Sequence, residues 1–251
     1  AAGTPGADAV LLLAVERLSG GSWRVEVANR LADGTGGIPA GTIESIFGFG
    51  SSVAVPRQFG GGAKQLLAIG SPKRSNSTGD VLLVTLDASR SYNASSLVWL
   101  SSWLPGGMSL SAGDEFGASL ATGAVDGVSG WQLFVGAPGD DTGAAGSGAV
   151  HVLGVSSSSP PSLLSWTKLA NGAGGLYSSS LPAGARFGSS VAWMNDLDGD
   201  GQRQELAIGM PGEPAVMVMW LQANGTSGVA AYSWATFSAG QSGLPSTLAA
   251  D

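Results

Sequence analysis

The chain has 251 residues but no cysteine and only one histidine, and charged residues make up 12% of it. Without cysteine there is neither a disulfide framework nor a thiolate metal site, although secretion stays possible. A Ser-His-Asp triad would have to use His151, which lies in a predicted strand. The run Gly146-Ser147-Gly148 precedes that strand and not a helix, so it is no nucleophile elbow. A structural role is therefore expected for His151, and the chain is not expected to be an enzyme.

The chain also lacks long apolar runs and clusters of basic residues. Its longest apolar run, residues 9–15, is far too short to span a bilayer. The formal net charge is −7 and the basic residues are scattered, which argues against a nucleic-acid partner. The chain begins Ala1-Ala2-Gly3 without the basic segment of a signal peptide, which is compatible with a mature secreted form.

Glycine, by contrast, is abundant, with 41 residues placed among short apolar runs. This composition is typical of an all-β chain with many turns. One pattern occurs three times: a Phe-Gly pair, an apolar run, a loop, a second apolar run and a Gly-x-Pro turn. The pairs begin at Phe49, Phe116 and Phe187, with spacings of 67 and 71 residues. A repeat of strand pairs at a nearly fixed period predicts a propeller or a solenoid.

These Phe-Gly and Gly-x-Pro units resemble the FG-GAP repeats of integrin α-subunit propellers and related extracellular proteins. Residues 140–143 and 146–150 resemble the segment that follows Gly-x-Pro in that family. The resemblance covers nearly the whole chain and implies an all-β fold, a β-propeller segment of about three complete four-stranded blades plus a half-blade. The repeats are expected within one domain, residues 1–251, at residues 7–43 (the half-blade), 44–110, 111–181 and 182–251.

Several expectations about the fold follow from this pattern. Residues 1–6 are expected to form a loose lead-in, and residues 97–103 a strand. Residues 81–86 are almost continuously apolar, which predicts a strand buried between neighbouring blades. The three phenylalanines of the Phe-Gly pairs are expected at equivalent buried positions. Because three and a half blades cannot close into a ring, we expect further blades or another chain to cover the open edges.

The third repeat contains an acidic loop with Asp196, Asp198 and Asp200 at alternate positions, followed by Gly201. Such closely spaced carboxylates repel each other unless a cation lies between them, and hard oxygen ligands around a tight turn suit Ca²⁺. An EF-hand would need a glutamate at position 207, which is Ala207, so a strand–loop–strand calcium hairpin is favoured. An ordinary solvated Asp-Gly turn is the alternative.

The equivalent loops of the other two repeats are poor in carboxylates. Residues 56–64 contain none, and residues 122–130 contain only Asp126. One carboxylate cannot replace three, so a single calcium site per chain is predicted.

The resemblance to FG-GAP repeats also implies a ligand set for that site. It consists of the three aspartates, the Gln202 carbonyl and a terminal carboxylate. In the family this acid lies three residues after the glycine, whereas Glu205 lies four residues after Gly201. Either the hairpin bulges by one residue and brings Glu205 in, or Gln204 takes the position.

Two further features concern the surface. Asn-x-Ser/Thr sequons at Asn76, Asn93 and Asn224 fall between the strongest apolar runs, which is compatible with surface glycans. A tryptophan recurs in each predicted fourth strand, which favours packing between blades over a row for stacking sugars. The candidates are Trp23, Trp99 or Trp103, Trp166 and Trp234.

Together these features predict a non-enzymatic, extracellular, calcium-binding propeller module. Its expected role is cell-surface adhesion or assembly through contacts with other protein chains or further blades, and possible ligands include glycans. The alternative is a carbohydrate-binding propeller or an accessory domain of a secreted hydrolase. The chain itself is expected to be secreted or displayed at the cell surface.

Overall fold

The computed structural model describes residues 2–4, 8–44, 47–56, 64–87, 93–103, 109–225 and 228–240. The prediction of an all-β chain is confirmed: the described residues form fifteen strands in four antiparallel sheets. The first sheet contains β1 (Ala2–Thr4), β2 (Ala9–Arg17) and β3 (Trp23–Ala32). The second contains β4 (Val53–Ala54), β5 (Lys64–Ser71), β6 (Asp80–Asp87) and β7 (Ala94–Trp99).

The last two sheets have the same four-stranded design. The third sheet contains β8 (Ser119–Gly123), β9 (Trp131–Ala137), β10 (Ala149–Val155) and β11 (Leu163–Leu169). The fourth contains β12 (Ser190–Asn195), β13 (Gln204–Met210), β14 (Ala215–Asn224) and β15 (Gly228–Ser238). Neighbouring strands in each sheet follow one another in the chain, so every sheet is a simple meander. The described residues include no helix that is long and apolar enough to cross a bilayer.

Two predictions about the strands were wrong. The lead-in is not entirely loose, because Ala2–Thr4 pairs with β2 and places Gly3 opposite Val10. The same register places Gly136 opposite Val150 in the third sheet, so β1 occupies the position of a second strand. The expected strand at residues 97–103 is also wrong: β7 ends at Trp99, and Leu100–Trp103 is a 3₁₀ turn.

Among the residues that the structure describes, three apolar cores lie between consecutive sheets, and central strands contribute to two of them at once. On β10, Val150 and Val152 face the fourth sheet, whereas Leu153 and Val155 face the second. The predicted burial of residues 81–86 is confirmed, because β6 is likewise covered on both faces. A continuous apolar run is the pattern expected of a strand covered on both sides.

Each Phe-Gly pair lies where two consecutive sheets meet, and we call each of these contacts a joint. Phe49, Phe116 and Phe187 are all fully buried, as predicted. Phe116 forms a parallel bridge with Gly79 of the preceding sheet, and Phe187 does the same with Gly148. A Cβ atom on either glycine would lie 2.1–2.2 Å from the phenylalanine carbonyl oxygen, so the backbones approach too closely for any side chain.

The first joint differs in its hydrogen bond. The Phe49 N–H donates to Asp8 Oδ1 at 2.9 Å, whereas the Phe116 and Phe187 N–H groups donate to backbone carbonyls. At the contact between the first and second sheets, the Asp8 carboxylate therefore replaces the backbone carbonyl as the acceptor.

Candidate metal centre

The acidic loop connects β12 to β13 and follows an irregularity in their pairing. Trp193 lies opposite Leu206 and Asn195 opposite Glu205, so one extra residue, Met194, is accommodated on β12. Asn195 has a positive φ of 61°, a conformation that asparagine tolerates better than most residues. This bulge lies before the acidic loop and places Asn195 opposite Glu205.

Three carboxylates meet at this loop. Asp196, Asp198 and Glu205 each offer an oxygen, and these atoms lie within 4.8 Å of one another. Glu205 is only 1% exposed. Among the described residues, neither Asp196 Oδ1 nor Glu205 Oε1 has a hydrogen-bond partner, although both atoms are buried. Unpartnered buried carboxylate oxygens are costly, and their convergence fits a hard cation such as Ca²⁺.

The loop backbone holds these side chains in place. Gly201 N–H donates to Asp196 Oδ2 at 3.1 Å, and Asp200 N–H donates to Asp198 Oδ1 at 3.1 Å. The Trp220 indole N–H donates to the other Asp198 oxygen at 3.0 Å. Both oxygens of Asp198 are thus hydrogen-bonded, whereas Asp196 has one bonded oxygen and one, Oδ1, that has no partner among the described residues.

The predicted ligands are only partly brought together. Asp200 is not one of the three clustered carboxylates, and its Oδ1 accepts the Gln202 and Arg203 N–H groups at 2.6 and 3.2 Å. Gln202 is exposed, and its carbonyl as a ligand stays a prediction.

Gln204 is directed away from the cluster. Its amide nitrogen donates to Asp126 Oδ2 and its amide oxygen accepts the Asp126 N–H, both at 2.9 Å. Adjacent strand residues point to opposite faces, so Gln204 reaches the third sheet while Glu205 faces the acidic loop. Of the two candidates left open by the sequence, Glu205 and not Gln204 belongs to the acidic cluster. The pairing with Asp126 was not predicted, because it joins residues 78 positions apart.

The electrostatics of the cluster favour a bound cation. Burial raises the pKa of the Glu205 carboxyl, and the charges of Asp198 and Asp196 raise it further, against the opposing effect of the Leu197 N–H. The Trp220 indole N–H lowers the pKa of Asp198, helped by the Asp200 N–H. The lowered pKa favours the ionised form of Asp198, and the raised pKa favours the protonated form of Glu205. A bound cation would favour the ionised form of both.

A second buried charged cluster lies between the second and third sheets. Lys168 Nζ donates to Asp140 Oδ2 at 2.5 Å and to Thr142 Oγ1 at 2.9 Å. His151 Nδ1 accepts the Trp166 indole N–H at 3.1 Å, while Nε2 lies 3.9 Å from Asp140 Oδ2. Burial lowers the pKa of His151, so the imidazole is neutral with its proton on Nε2. His151 Nε2 has no hydrogen-bond partner among the described residues, and the ion pair of Lys168 and Asp140 joins β11 to the turn after β9.

The three sequon asparagines are all exposed, which leaves them accessible for glycosylation. Asn76 lies in the turn between β5 and β6 with a positive φ of 58°, Asn93 precedes β7, and Asn224 ends β14. The tryptophans do not form one row. Trp99, Trp103, Trp166 and Trp234 pack against the apolar cores, whereas Trp23 is 64% exposed.

Comparison with protein-family models found no match for this chain, and comparison with curated proteins found none either.

Proposed function

We propose that the chain is a segment of an FG-GAP β-propeller that binds one Ca²⁺ at Asp196, Asp198 and Glu205. The sheets would be its blades, and the module would act in adhesion or assembly at the cell surface or outside the cell, without catalysis. The observation that carries the calcium site is the pair of buried, unpartnered oxygens, Asp196 Oδ1 and Glu205 Oε1. Support for the propeller comes from the repeated joints, in which each Phe-Gly pair is seated on the preceding sheet.

Calcium would stabilise the hairpin between β12 and β13. A ligand that binds only the folded loop adds stability by mass action. The fixed hairpin would in turn hold Trp220, which bonds to Asp198, and Gln204, which bonds to Asp126 of the third sheet. The site thus links the fourth sheet to its neighbour, and binding surfaces on the loops would gain rigidity from it.

Calorimetric titration of the complete chain with calcium chloride tests this proposal. We expect one site per chain, a loss of at least tenfold in affinity for Glu205→Gln, and no binding for Asp198→Ala. Asp126→Asn is the control, since this carboxylate lies outside the cluster. Wild-type chain that binds no calcium at millimolar concentration, or Asp198→Ala that binds normally, would contradict the assignment.

One observation favours carbohydrate binding as a second candidate. A cavity of about 420 Å³ lies at the ends of β8 and β12, beside the start of β9. It is lined by two aromatic rings, Trp131 and Trp193, together with the polar Thr122, Ser157 and Asn195. Rings beside hydrogen-bonding groups suit a sugar. Binding on a glycan array that is lost in Trp193→Ala would support this candidate, and an array without any bound glycan would eliminate it.

A further inference from the structure

The joints between the last three sheets share a second contact that involves a serine and a glycine. Ser52 Oγ donates to the Gly117 carbonyl, and Ser119 Oγ donates to the Gly188 carbonyl, both at 2.7 Å. Each carbonyl belongs to a Phe-Gly pair of the following sheet. A Cβ atom on Gly136, which pairs with Ser119, would lie 2.0 Å from the Gly188 oxygen. The corresponding distance for Gly70 and the Gly117 oxygen is 2.1 Å.

The fourth sheet carries the same pair of residues. Ser190 lies opposite Gly209, as Ser119 lies opposite Gly136. A Cβ on Gly209 would meet Ser190 Oγ at 2.3 Å, the distance also found for Ser119 Oγ and Gly136. The three atoms nearest to this Cβ position all belong to Ser190, so among the described residues no carbonyl is seated over the pair. We call Ser190 and Gly209 the notch.

The apolar surroundings of the notch are also uncovered. Val81, Val150 and Val216 pair with Gly70, Gly136 and Gly209 respectively, and so occupy equivalent positions. Val81 and Val150 are completely buried by the following sheet, whereas Val216 is 43% exposed. The outward face of the fourth sheet therefore has the serine-glycine pair and the valine that form a joint on the second and third sheets.

We propose that this outward face docks a further antiparallel sheet of the same repeat type, whose Phe-Gly pair places its glycine carbonyl on the notch. The partner must supply a backbone carbonyl that accepts a hydrogen bond from Ser190 Oγ, and the residue with this carbonyl must be a glycine. It must also supply an apolar strand that covers Val216. A second copy of this chain fits less well, because its Gly117 and Gly188 carbonyls are already bonded. Its Phe49 is likewise already held against the first sheet.

This inference rests on the repeat architecture of the proposed function and not on its calcium site, so the two fail separately. The test uses the complete chain extended after Asp251 by a second copy of residues 116–181, which supplies a Phe-Gly pair and its sheet. Hydrogen exchange in β12 and β14 should slow at least tenfold compared with the chain alone, because the added sheet covers this face. An extended chain that gains no protection there overturns the proposal.

Val216→Glu separates docking from general stability. In the chain without the extension this partly exposed position tolerates a charge, so exchange should change less than twofold. In the extended chain the carboxylate would be buried without a partner, and the gained protection should be lost. Leu164→Glu is the matched control, since Leu164 is 42% exposed on the third sheet, and it should retain the protection.

Gly209→Ala tests the notch itself and should also abolish the gained protection, because its methyl group would occupy the seat of the carbonyl. Protection that survives both Val216→Glu and Gly209→Ala would show that the added sheet is not held by the notch and Val216, and would overturn the proposal. Light scattering of the chain without the extension completes the test. Concentration-dependent association that protects β12 and β14 would assign this face to a second copy and would equally contradict it.

Discussion

Gly136→Ala is the substitution that most directly measures what a joint contributes to stability. The added methyl group would lie 2.0 Å from the Gly188 carbonyl oxygen and 2.3 Å from Ser119 Oγ. The hydroxyl can rotate, but the carbonyl is backbone and lies among fully buried residues, so the two sheets have to separate. Overpacking of this kind costs about 1–3 kcal/mol. Loss of the Ser119–Gly188 hydrogen bond adds about 1 kcal/mol, and the expected total is about 2–4 kcal/mol.

Gly209→Ala in the chain alone is the matched control. It changes the same position of the repeat, but among the described residues only the mobile Ser190 hydroxyl lies close to the added methyl group. Any gain from restricting the unfolded chain is shared by both variants and cancels in the comparison. We expect a cost below about 1 kcal/mol, measured by urea denaturation followed by tryptophan fluorescence and circular dichroism. Equal costs for the two variants would refute the idea that the seated carbonyl makes this glycine necessary.

Three further predictions concern buried side chains and pH. Phe187→Ala should lower the free energy of unfolding by about 3–5 kcal/mol in the same urea assay, since it empties a fully buried aromatic position; a loss below 1 kcal/mol would contradict this. Lys168→Met leaves the buried Asp140 carboxylate without its cation and should cost about 3 kcal/mol at pH 7; an unchanged urea midpoint would show that the pair is not needed. Because burial lowers the pKa of His151, the unfolded chain binds the extra proton first, so stability should decrease as the pH falls below about 6.5. Urea midpoints at pH 7.5 and 5.5 should therefore differ more for the wild type than for His151→Gln, and equal differences would exclude His151 as the cause.

Local pattern was sufficient to predict most strands. β6 contains the apolar run at residues 81–86 that predicted a buried strand, and it extends that run by only one residue at each end. β1 was missed, since three residues with a central glycine carry no periodic signal. The error at residues 97–103 arose from the apolar Leu100 and Trp103, which are buried or half-buried from a 3₁₀ turn as effectively as from a strand.

The candidate site was predictable from the sequence only where its pattern is local. The alternation of Asp196 and Asp198 with Gly201 identified the loop, because its signal is local. The choice between Gln204 and Glu205 depended on a contact between sheets, since Asp126, 78 residues away, holds Gln204, and no local pattern reports such a contact. The pair formed by Asp140 and Lys168 was also missed, since it joins residues 28 positions apart.

The seating of each Phe-Gly carbonyl on the preceding sheet has a consequence for folding during synthesis. Ser52 and Gly117 are 65 residues apart, and Ser119 and Gly188 are 69 residues apart. Each sheet can pair its own strands as soon as it leaves the ribosome. Its joint serine, Ser52 or Ser119, has no acceptor until the Phe-Gly pair of the next repeat has been synthesised. Translation at about 5–20 residues per second makes that interval several seconds. We therefore expect the nascent chain to fold one sheet behind the ribosome, with a single unfinished joint moving towards the C-terminus as each repeat emerges.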